Sequence, residues 1–140
     1  MFDPNNIVVK LCAQGMEMES RQEPGKAREL FQQAWEQAKT DLEKSTAAHY
    51  LARQQLSLED KLSWDMIALE FALKIDNEEI KANFPSLYLN IGKCHEDLND
   101  PILAREFYQK ANSFAEYLPS NGYGTMIRHG IENGLQRTSA

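Results

Sequence analysis

A chain of 140 residues with 42% hydrophobic and 26% charged residues has the size and composition of one folded globular domain, not of a disordered segment. Its net charge of -6 and isoelectric point near 5.1 repel phosphate backbones, so no nucleic acid is expected among its partners. Apolar runs are only a few residues long, against the roughly 20 that a membrane helix needs, so no membrane segment is expected either.

Stop and start signals divide the chain into seven predicted helices. Asp3-Pro4 offers the first an N-cap and a first-turn proline, and Pro24 restarts the chain in the second. After a third helix, Ser57-Leu58-Glu59-Asp60 resembles a capping box opening the fourth, with Asp in place of the usual Glu or Gln. Asp76 with Glu79 opens a long fifth helix that Pro85 is expected to kink. Asp100-Pro101 opens the sixth. Beyond the break at Pro119-Ser120-Asn121-Gly122, Met126, Ile127, Ile131 and Leu135 recur at roughly helical spacing and predict a final helix with one polar side.

Two stretches carry the same sparse pattern. Leu11, Gly15, Met18, Ala27, Phe31 and Ala34 recur as Tyr88, Ile91, Gly92, His95, Ala104, Tyr108 and Ala111, with the glycine twelve positions before an alanine and an aromatic four after it. Such spacing suits two antiparallel helices crossing where only small side chains fit. The second copy, YLNIGKCHEDLNDPILAREFYQKA, resembles the tetratricopeptide (TPR) repeat family: Tyr88, Ile91, Gly92, Ala104, Tyr108 and Ala111 stand at its signature positions, and Asn99 and Asp100 at its inter-helix turn. The first copy matches with Gly15, Ala27, Phe31 and Ala34. Between them a degenerate middle repeat, anchored by Ala68 and Leu69, puts His49 at the glycine position, Lys61 at the small-alanine position and Asp65 at the Phe position. The resemblance implies an all-α, right-handed TPR-like solenoid of three helical hairpins plus a capping helix. It is one domain over 1–140, with repeats at about 5–40, 43–76 and 80–117 and the capping helix at about 121–138.

Candidate chemistry is sparse. His49, His95 and His129 sit in no ligand frame, and adjacent Cys94 and His95 point about 100 degrees apart on a helix, so no metal site is expected. GxGxxG, GxxxxGK[ST] and GxSxG are all lacking, so no cofactor and no catalytic residue is expected, and the chain reads as a non-enzyme. Cys12 and Cys94, outside any CxxC pair, suit a reducing compartment, and the MFDPNN opening has neither the basic nor the apolar region of a secretory signal. A cytoplasmic location is expected.

In the TPR family the first helix of each pair lines a concave surface. Carried over to this sequence, that surface takes Val9, Cys12, Met16 and Glu19, then Thr46, Tyr50 and Arg53, then Leu89, Asn90, Lys93 and Glu96. Met16, Tyr50 and Leu89 would hold an apolar anchor and Arg53 and Lys93 a carboxylate, with Asn90 on the same surface. The resemblance thus implies a non-catalytic scaffold that binds a protein or peptide segment, acidic and carrying one apolar anchor. The carboxylate clamp of some TPR domains is not matched, because Cys12, Met16 and Ala47 occupy its positions. Two other readings stand beside this one. Trp64, Ile67 and Phe71 form an apolar stripe on the fourth helix suited to a homodimer. The other is a small enzyme or ligand-binding regulator with a pocket over Tyr50, Arg53 and His49, where Arg and His beside an aromatic would hold an anionic small molecule.

Overall fold

The computed structural model describes residues 3–139, so Met1 and Phe2 of the opening motif lie outside the described residues. Among the described residues the chain forms seven α-helices, two 3-10 turns and no strand, as the all-α reading expects. None of these helices is long and apolar enough to cross a membrane. They gather into two compact units, Met1–Ile75 and Asp76–Ala140.

The first unit holds α1 (Ile7–Ser20), α2 (Pro24–Gln37), α3 (Asp41–Arg53) and α4 (Leu58–Leu73). Helix α1 starts later than Asp3-Pro4 suggests. Asp3 caps only a turn, accepting from the Asn5 amide at 2.9 Å, while Asn6 satisfies two orphan donors by accepting from Val8 and Val9 at 2.8 and 3.2 Å. Helix α3 opens on a full capping box that the sequence reading passed over: Thr40 Oγ1 accepts from the Glu43 amide at 3.1 Å and Glu43 accepts from the Thr40 amide at 3.0 Å. Only half of the expected box forms before α4. Ser57 accepts from the Asp60 amide at 3.1 Å, but Asp60 is one methylene short of Glu and makes no return bond.

Close packing follows the small residues. Helices α1 and α2 run antiparallel, with Val8, Leu11 and Cys12 against Ala34 at one end and Met18 against Ala27 and Phe31 at the other. A β-carbon at Gly15 would sit inside the van der Waals envelope of the Phe31 ring, so only glycine lets that ring lie flat in the crossing. Between α3 and α4 the fit is alanine against alanine: Ala47, Ala48, Ala52, Ala68 and Ala72 have no exposed surface. There the Ser45 hydroxyl donates to the Ala68 carbonyl at 2.8 Å. One turn along each helix stand His49 and Asp65.

The second unit begins with a 3-10 turn at Glu79–Ala82, followed by α5 (Phe84–Asp97), α6 (Pro101–Ser113), a 3-10 turn at Ala115–Tyr117 and α7 (Gly122–Arg137). The long kinked helix expected through Pro85 does not form. Asn77, not Asp76, caps the 3-10 turn by accepting from the Ile80 amide at 2.9 Å, and α5 restarts at Phe84 with Pro85 in its first turn. The physical reason is simple: a first-turn proline forgoes an N–H that would have no helical partner anyway, whereas a mid-helix proline breaks a bond. Helix α7 packs on both α5 and α6. It approaches through glycines, since a β-carbon at Gly130 would lie 2.9 Å from Leu89 and one at Gly134 would lie 2.7 Å from Tyr108. The opposite side of the Tyr108 ring meets Gly92, again at 2.7 Å from a notional β-carbon.

Candidate functional site

The two glycine-built pairs match beyond the stations visible as a pattern in the sequence. In each, the inter-helix turn holds a non-glycine residue in the left-handed region, Gln22 at φ 61° and Asn99 at φ 65°, followed by an acidic residue and the proline that starts the next helix. In each, the residue four after the glycine is a glutamate, and an arginine from the following helix closes on it. Arg53 of α3 grips Glu19 of α1 through two nitrogens, the Nε at 3.3 Å, and Gln54 adds a third bond. Arg137 of α7 grips Glu96 of α5 at 2.8 and 3.1 Å, and the Tyr108 hydroxyl donates to the same carboxylate at 2.7 Å. Bidentate guanidinium–carboxylate pairs are directional as well as strong, so each one fixes the third helix on the pair before it. The Arg137 bond, ahead of the Tyr108 hydroxyl, lowers the Glu96 pKa below the ordinary range, while burial and then the Glu96 bond raise that of Tyr108.

These clamps change what the predicted site residues do. Arg53 was expected to meet a partner's carboxylate, and it meets Glu19 instead while its guanidinium lies 4.7 Å from the Tyr50 ring centroid. Tyr50 in turn stacks on Phe31, with centroids 5.2 Å apart and planes 18° apart, so it is a half-buried part of the first unit's packing. Leu89 and Glu96 are engaged by α7, through Gly130 and Arg137. Lys93 reaches Asp97 one turn on, at 2.5 Å, and Asn90 is half-buried. The sequence held a signal for the clamps in the glutamate four places after each glycine; the resemblance placed Glu19 and Glu96 on the concave surface and gave them no partner within the chain.

One partly open surface of the first unit is a strip between α1 and α3. Val9, Cys12, Met16 and Glu19 on α1 have the same three-four-three spacing as Glu43, Thr46, Tyr50 and Arg53 on α3, which puts each set on one helix face. The strip is tied at both ends, by the Glu19–Arg53 pair and by the Asn6 amide donating to Glu43 at 2.6 Å. That Asn6 bond, with the Thr40 and Lys39 amides, lowers the Glu43 pKa to about 2. Within the strip Met16 is 45% exposed. Cys12 lies beneath, its thiol pushed up to about 12 by burial, which leaves it a poor nucleophile.

His49 stays out of the strip. Its Nδ1 is buried without a hydrogen-bond partner among the described residues, and burial, then Arg53 and Lys61, lower its pKa to about 4. On α4, Asp65, 1% exposed, accepts from Lys61 Nζ at 2.9 Å. The stripe of Trp64, Ile67 and Phe71 is half-buried, with Trp35 of α2 meeting Trp64 edge-on at 5.1 Å and Phe71 at 6.0 Å. The more open apolar residues of α4 are Leu58, Met66 and Leu73, on its other flank. No protein-family model matches the chain, and none of the curated proteins searched matches it.

Proposed function

We propose that this chain is a non-catalytic, TPR-like interaction module of the cytoplasm, whose helical pairs stack in a right-handed solenoid and whose α1–α3 strip seats a protein or peptide segment. The observation that carries the reading is the strip itself: a large flexible apolar side chain, Met16, held open on a face whose two ends are tied by the Asn6–Glu43 and Glu19–Arg53 bonds. A surface already ordered before binding loses less entropy when a partner arrives. Methionine suits such a place because its unbranched thioether adapts to the shape of an apolar anchor. The buried thiols of Cys12 and Cys94 agree with a reducing compartment.

Affinity capture from the native cell tests this with wild type beside Met16→Glu. Met16 is the right position because Tyr50 and Arg53 also hold the fold, so changing them would confuse binding with stability. Partners lost from the Met16→Glu bait, whose melting temperature should match wild type, would support the strip as the working surface; identical partner sets would remove it.

A further inference from the structure

A second surface lies on the same unit, around Phe71 of α4. Its ring has two lysines from two different helices beside it: Lys44 Nζ of α3 at 5.2 Å and Lys74 Nζ at the C-cap of α4 at 4.6 Å from the centroid. No other ring among the described residues carries cations from two helices. Neither ammonium makes a hydrogen bond or an ion pair among the described residues, and Glu70, one turn before Lys74, does not pair with it. Arg21, Lys26, Arg53 and Lys61 of the same unit hold carboxylates of the chain, whereas Lys10, Arg28 and Lys39 resemble Lys44 and Lys74 in making no ion pair among the described residues, but they flank no aromatic ring. Lys44 and Lys74 are therefore local positive charges on a protein of net charge -6, set around a half-buried aromatic. Trp35 and Trp64 continue the apolar surface beside it.

Phe71, Lys44 and Lys74 with Trp35 and Trp64 form, we infer, a docking surface for an acidic segment of another protein, with carboxylates on either side of one apolar anchor. The aromatic rings give such an anchor area at little entropic cost, and the lysines supply register and on-rate. Charge also chooses between occupants. A symmetric dimer would lay this patch against its own copy and bring four ammoniums together, whereas an acidic segment neutralises them. Lys74 alone would be explained by the negative end of α4, but Lys44 is the fourth residue of α3, near its positive end, where the helix dipole does not favour a cation.

The test uses a short fluorescent peptide with glutamates on both sides of a single leucine, and its twin with glutamines, titrated against the full chain at low and high salt. Lys44→Glu with Lys74→Glu should weaken the glutamate peptide at least about tenfold and cancel its salt dependence, while Met16→Glu leaves it unchanged. Because both lysines reach solvent, helicity and melting should stay as in wild type, and Lys44→Gln with Lys74→Gln should fall between. Equal affinity for the two peptides, equal affinity of wild type and the charge-reversed protein, or loss of binding in Met16→Glu alone would each overturn the assignment. So would a dimer in sedimentation that the charge reversal dissociates, since the surface would then belong to a second copy.

Discussion

The α1–α2 crossing and the α3–α4 crossing solve one packing problem with opposite materials. In the first, Gly15 removes a side chain so that the Phe31 ring can fill the gap, against Ala27, Leu51 and Met18 and stacked on Tyr50. In the second, the corresponding stations hold His49 and Asp65, with Lys61 closing on the carboxylate and Ser45 bonded across to Ala68. The difference teaches that the glycine is required by its aromatic partner and not by the approach of the helices as such. Where an acid takes the place of the ring, alanines at Ala47, Ala48, Ala68 and Ala72 are enough to bring the backbones together.

The comparison can be broken most sharply at the glycines. Leucine at Gly15 should cost about 3 kcal/mol or more in chemical denaturation, at or beyond the upper end of ordinary overpacking, because the obstacle is a ring fixed between two helices. Alanine at Gly25, where a β-carbon meets nothing within 4 Å, should be neutral or slightly stabilising in the same assay. A Gly15→Leu protein as stable as wild type would mean that the ring has somewhere else to go.

A finer test exchanges the materials. Asp65→Phe alone drives a ring toward His49 and strands Lys61, so a loss of about 2 kcal/mol is expected. With His49→Gly and Lys61→Ala added, the middle crossing acquires the composition of its neighbour, and most of that loss should return as a favourable coupling energy. Additive losses across the triple variant would show that the two crossings differ in backbone geometry and not merely in side chains.

The smallest effect is in pH. The folded unit keeps His49 neutral down to about 4, while an unfolded chain protonates it near 6.5, so the folded state binds fewer protons in between. Stability from this site is therefore complete above pH 6.5 and declines as the pH falls toward 4, by roughly 1 to 2 kcal/mol once partial relaxation of the buried ring is allowed. Urea unfolding of wild type and His49→Gln across that window should diverge on the acid side. Parallel curves would mean that the histidine is already solvated.

The sequence was most legible where one residue type has one physical use. Glycine twelve before alanine, and proline after an acidic residue, announced the crossings and the starts of α2 and α6. It was least legible where several residues compete for one role. Asp3 and Asn6 are both good caps and only three-dimensional reach decides between them; Pro85 reads equally well as a kink or a beginning. The surface was harder still, because Glu19, Arg53, Glu96 and Arg137 look like solvated charges one at a time and become clamps only when a third helix is placed beside a pair. The lysines around Phe71 come from α3 and α4, and no linear spacing relates them.

The edge-on contact of Trp35 and Trp64 has an optical consequence. These are the only two tryptophans of the chain, and both belong to the unit Met1–Ile75. Of the five tyrosines, only Tyr50 shares that unit with them. Indole emission is thus a private reporter of one unit and phenol absorbance largely of the other, so the unfolding of each can be followed in the unlabelled protein. Light selectively exciting tryptophan also lands beside Phe71, where an arriving segment would change the emission colour without any dye attached to the chain.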